Sequence, residues 1–104
     1  MPWYVYLAYF FGGAFLVNAI PHLTNGLSGR PFPSPFASPP GKGNSSPTVN
    51  VLWAAFNLIV GYLLVLRVGM FYVRDARDVL VFGAGGLFVA IMLSQTFGKR
   101  TVTS

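Results

Sequence analysis

The sequence predicts an all-α membrane protein of three transmembrane helices. Of its 104 residues 54% are hydrophobic and 9% charged, too apolar for a soluble domain of this size to keep a wetted surface. The apolar residues are gathered in three uncharged runs of 18 or 19 residues, each reaching ~27 Å at about 1.5 Å per residue, close to the thickness of a hydrocarbon core. The basic residues Arg30, Lys42, Arg67, Arg74, Arg77, Lys99 and Arg100 all lie outside those runs, as membrane-flanking charges do. The net charge of +5 is therefore dispersed around a bilayer rather than collected for a nucleic acid. The expected organisation is one domain, 1–104, with helices at about 3–21, 49–67 and 78–98 and a loop over 22–48.

The first run, WYVYLAYFFGGAFLVNAI, follows a Met-Pro start without side-chain charge and ends in Asn, Pro and His. A secretory signal needs a basic start and a small-residue cleavage site, so this run reads as a retained helix. Trp3, Tyr4 and Tyr6, then Trp53, then Phe71 and Tyr72, mark the interfacial belts. Between the second and third helices RVGMFYVRDARD is short and charged. Arg74 and Asp78 have the i, i+4 spacing of a helical ion pair, and Asp75 or Asp78 suits the N-cap of the third helix. The other connection holds six of the eight prolines, which excludes a helix, and its unpaired backbone excludes hydrocarbon. It is expected at the water boundary, either as a plain tether or as a lid in which Phe32 and Phe36 cover a cavity.

With three antiparallel crossings, the strongly polar residues of the spans collect at one membrane face. Asn18 and His22 come from the first helix, Asn50 and Asn57 from the second, and Ser94, Gln95 and Thr96 from the third. Buried amides without partners cost a few kcal/mol each, so these groups are expected to face one another or a wet cavity. Asn50, Ala54, Asn57 and Gly61 share one stripe of the second helix. Gly83, Gly86, Ala90 and Ser94 on the third, and Ala8, Gly12 and Ala19 on the first, form small-residue stripes suited to close packing in lipid.

Three functions fit these features. The leading expectation is a binding or assembly module, homo-oligomeric or accessory to another membrane protein, whose asparagine stripe contacts partner helices. Alternatively Asn18, His22, Asn50, Asn57, Ser94 and Gln95 line a ligand pocket, or an uncharged pore between several copies with selectivity set by amides and carbonyls. Lastly, His22 offers a site for haem or for acid–base work. No cofactor is expected, and haem through His22 is the one route to one. No metal site is expected, since the chain has no cysteine, one histidine and two carboxylates. Nothing in the chain orients His22 for catalysis, and Ser94 on a small-residue stripe reads as packing, so the balance leans against an enzyme. Four basic residues (Arg30, Lys42, Lys99, Arg100) face three (Arg67, Arg74, Arg77) across the membrane. The positive-inside rule then puts the N-terminus outside and the C-terminus inside.

NAIPHLTNGLSG, followed by PSPF and then SSPTVNVLWAAFNLIVG, resembles a pattern of small, uncharacterised bacterial three-helix membrane proteins of about this length. The resemblance covers the first two helices and their loop. It implies no activity and no site residues. The expected location is the bacterial inner membrane, as an integral protein.

Overall fold

The computed structural model describes residues 2–40 and 42–103, with side chains through residue 98. The side chains of Lys99 and Arg100, counted above for topology, lie outside the described ones. In chain order the elements are α1 (Trp3–Leu27), β1 (Phe32–Pro33), β2 (Asn44–Ser45), α2 (Pro47–Leu66) and α3 (Ala76–Thr103). Three helices, Trp3–Leu27, Pro47–Leu66 and Ala76–Gly98, are long and apolar enough to cross a membrane. The longest dimension, 45 Å, equals a bilayer with its headgroup layers, ~40–45 Å.

α1 runs on past Pro21 to Leu27 instead of ending near residue 21. Proline at 21 removes one donor, the one that would meet the carbonyl of Val17. Past it the last turns carry extra side-chain bonds: Thr24 Oγ1 donates to the carbonyl of Ile20 at 2.9 Å and Asn25 Nδ2 donates to that of Pro21 at 2.8 Å. The true stop lies downstream. Gly29, at φ 73°, takes a left-handed conformation open to glycine at little cost. It sends its N–H to Gly26 O (3.1 Å), while Arg30 N–H reaches Asn25 O (2.9 Å); these are the two bonds of a Schellman cap.

α2 starts at its own signal. Ser46 is the N-cap, its Oγ accepting from Val49 N at 3.1 Å, and Pro47 opens the first turn, where a missing N–H costs nothing. Before α3, Asp75 Oδ1 accepts from the amides of Arg77 (2.9 Å) and Asp78 (3.4 Å). Asp75 is therefore the cap. Asp78 is buried, and its Oδ2 accepts instead from the amide of Tyr72 at 3.1 Å. The expected Arg74–Asp78 helical pair does not form, because Arg74 lies in the turn ahead of α3.

α1 is the central helix: α2 and α3 each pack along it and make no comparable contact with each other. On the α2 side Gly12 and Gly61 meet, and a Cβ on either would come within 3.3 Å of the other's carbonyl oxygen. On the α3 side the closest approach is at Gly85, where a Cβ would overlap the carbonyl of Phe10, and at Gly13, where it would overlap that of Phe82. Of the residues named above for helix packing, Ala8, Gly12, Gly61 and Gly86 are buried. Gly83 and Ala90 are not: both are exposed, and a Cβ on Gly83 would meet nothing within 4 Å. The inward face of α3 is set by Asp78, Gly85 and Gly86, which leaves Gly83 and Ala90 at the flank of the α1 contact, bordering a groove between the two helices.

Candidate functional site: the amide clasp beneath the loop

Asn50 and Asn57 sit seven residues apart on the α2 face that meets α1, and they are 0% and 1% exposed. Each finds a partner on α1. Asn57 Nδ2 donates to the carbonyl of Trp53 at 2.8 Å, which fixes Oδ1 as the acceptor for Asn18 Nδ2 at 3.0 Å. About two turns toward the loop, Asn50 Nδ2 is surrounded by the carbonyls of Phe32 (2.9 Å), Ser46 (3.1 Å) and Ser45 (3.3 Å). Its Oδ1 therefore faces His22 Nδ1 at 2.7 Å. An acceptor there requires the proton on Nδ1, so in the neutral imidazole Nε2 carries the lone pair.

Through this network the loop is pinned to the bundle. β1 and β2 pair antiparallel, Phe32 opposite Ser45 and Pro33 opposite Asn44. The hydroxyls of Ser34 and Ser45 bond to each other in a buried contact. Phe32 tucks its ring against His22 (5.4 Å between centroids) and Phe97 (4.7 Å). Phe36, the other lid candidate, stays exposed and sets its ring edge-on to Trp53 at 5.3 Å, with Phe56 stacked on the far side of that indole at 5.4 Å. Phe36, Val49, Leu52, Trp53 and Phe56 border an apolar surface cleft of about 490 Å³.

Of the polar residues expected at this end, Asn18, His22, Asn50 and Asn57 come together, and they do so within one chain. The stripe that was expected to contact partner helices faces α1 of its own chain. Ser94, Gln95 and Thr96 stand apart on the exposed side of α3. Ser94 Oγ donates to Ile91 O at 2.8 Å, so its hydroxyl is met by its own helix, and α3 makes no comparable contact with the helix that carries the asparagines. Residues of the site that sequence patterning overlooks are Ser34, Ser45 and the carbonyl of Phe32, whose convergence depends on how the loop folds. Trp53, read as belt, also forms part of the site's wall, and its Nε1 is buried without a hydrogen-bond partner. Among the described residues no group of three or more His, Asp or Glu comes close enough to hold a metal ion.

The fold and site define a three-helix chain, compatible with an integral membrane protein, whose central polar residues are joined into an intramolecular clasp. Compared with family models, with curated proteins and with solved structures, the chain matches none. Its functional reading rests on this geometry.

Proposed function

We propose that the protein is an integral membrane binding and assembly module of the bacterial inner membrane, homo-oligomeric or an accessory subunit, that meets its partner through α3. The N-terminus lies outside and the tail inside in this reading. The observation that carries it is the unequal use of the helix surfaces. Only 11% of the most apolar window of α3 is buried, against 39% for α1 and 28% for α2. Its outward face holds the small residues Gly83, Ala90 and Ser94, which permit close approach of a helix from another chain. Beside them, a groove of about 390 Å³ between α1 and α3 has Gly13, Gly83, Gly86 and Ala90 along its floor.

One feature weighs against the pore: the amides it would need at its wall are enclosed between α1 and α2. The amide clasp takes a supporting part: it fixes the α1–α2 register and the loop, leaving α3 as the surface free to associate. Native mass spectrometry from gentle detergent tests the assignment by copy number. The wild-type chain is expected as an assembly, or bound to a partner subunit, and Gly83→Leu with Ala90→Leu is expected to release the monomer. Unchanged assembly in a variant that keeps its helical content would remove α3 as the contact face.

A further inference from the structure

Because α2 and α3 both pack on α1 and not on each other, a cleft opens between them at mid-span. It measures about 340 Å³ and is bordered by Phe15, Asn18, Trp53, Asn57, Met92 and Leu93, within the usual range for a small-molecule site. It shares no lining residue with the small-residue groove between α1 and α3. Its apolar walls would hold a lipid chain. A polar group stands at its wall: Asn57 is oriented by the Trp53 carbonyl, so Asn18 must offer Nδ2 to Asn57, and the Asn18 carbonyl oxygen finds no hydrogen-bond partner among the described residues. An acceptor facing hydrocarbon is costly unless a donor meets it. Asn18 is half-buried, so this oxygen is within reach of a molecule in the cleft.

We propose that this lateral cleft binds a membrane-soluble, single-chain amphiphile through a neutral hydroxyl, which donates to Asn18 Oδ1 while the chain lies along Phe15, Met92 and Leu93. A hydroxyl suits the site because it supplies the donor without bringing a charge into the span. A carboxylate or phosphate would bring only acceptors to the Asn18 oxygen and a full charge to an apolar wall.

The test is photolabelling of the intact chain in bilayer nanodiscs with a long-chain alcohol carrying a diazirine at mid-chain, beside its methyl ether, with labelled peptides mapped by mass spectrometry. The ether keeps the chain and lacks the donor, so the comparison needs no mutant. One hydrogen bond predicts about five- to tenfold stronger labelling by the alcohol, at Phe15, Met92 or Leu93, and competition by unlabelled alcohol. Asn18→Leu is expected to bring the alcohol down to the level of the ether, and Leu52→Ala, on the other cleft, to leave it unchanged. Equal labelling by alcohol and ether overturns the proposal, as does alcohol labelling confined to the Phe36 and Phe56 surface. Absence of label from the cleft, with Met92 protected in a dimer of the chain, overturns it as well, for the cleft then holds a second copy.

Discussion

Toward α2, α1 presents Asn18 and His22, and four side chains interlock with loop carbonyls at 2.7–3.3 Å. Toward α3 it presents glycine and apolar side chains, and the two backbones close to contact at Gly13 and Gly85. The first interface is directional and the second steric. In lipid, where apolar side chains gain little by leaving the tails for one another, amides fix register and small residues allow close approach. A single helix using both has one neighbour held in a defined register with its loop, and another held by shape alone.

Substitutions separate the two kinds of contact. The largest effect is expected at Asn50. Asn50→Leu removes the side-chain donor from the carbonyls of Phe32 and Ser45 and the acceptor of the His22 N–H, while the Ser46 carbonyl keeps the backbone N–H of residue 50; the cost is about 1–3 kcal/mol for each group left buried and unpaired. The loop should come away from the bundle, read as faster proteolysis between residues 28 and 46 and a lower melting temperature in detergent. Retained protection of the loop would mean that Phe32 and the Ser34–Ser45 contact hold it without the amide. On the steric side, Gly85→Val forces a side chain against the Phe10 carbonyl, and about 1–3 kcal/mol or more is expected. An engineered disulfide joining α1 to α3 in this cysteine-free chain should then fail to form.

Smaller effects sharpen the contrast. Asn57→Ala should cost about 1–2 kcal/mol, the upper end for an interhelical hydrogen bond in a membrane, and a double-mutant cycle with Asn18→Ala should show the two losses to be coupled. Independent losses would mean that the pair is not a unit. Ser46→Ala removes the α2 cap and should cost about 1 kcal/mol, measured by thermal unfolding. Gly83→Ala is expected to leave the stability of the single chain unchanged, since its new methyl group meets nothing; a measurable loss in the monomer would show that α3 packs with a different face.

Much of the fold is legible in the residues themselves. The three apolar runs mark the spans, SSP marks the start of α2, and Asp75 marks that of α3. Asn18, His22, Asn50 and Asn57 could be grouped because helical phase and antiparallel crossing put them on one level. The end of α1 was hidden by Pro21, whose usual effect is to break a helix, although Gly29 carried the real signal. Ser94 and Gln95 were misplaced for a different reason. Phase arguments give the stripes on a helix but not which stripe a neighbour covers, and on α3 the alternatives Gly83–Ala90–Ser94 and Gly85–Gly86 are both small. Contact with Phe10 and Gly13 decides between them, and that is a tertiary fact. The loop clasp was likewise illegible, since Asn50 gathers carbonyls from Phe32 and Ser45, 18 and 5 residues away in sequence.

The most direct test of the central claim, that the polar face of α2 is used within the chain while the small-residue face of α3 is offered to another, compares two alanines. Ala54 lies on the asparagine stripe at 0% exposure, and Ala90 lies on the outward face of α3. Single cysteines at these positions in the otherwise cysteine-free chain, oxidised in native membranes, report which face meets another protein. An intermolecular disulfide is expected from Ala90→Cys, as a chain dimer or with a cysteine-bearing partner, and none from Ala54→Cys. Cross-linking through Ala54→Cys with Ala90→Cys silent would contradict it, and would return the asparagine stripe to the interface between chains.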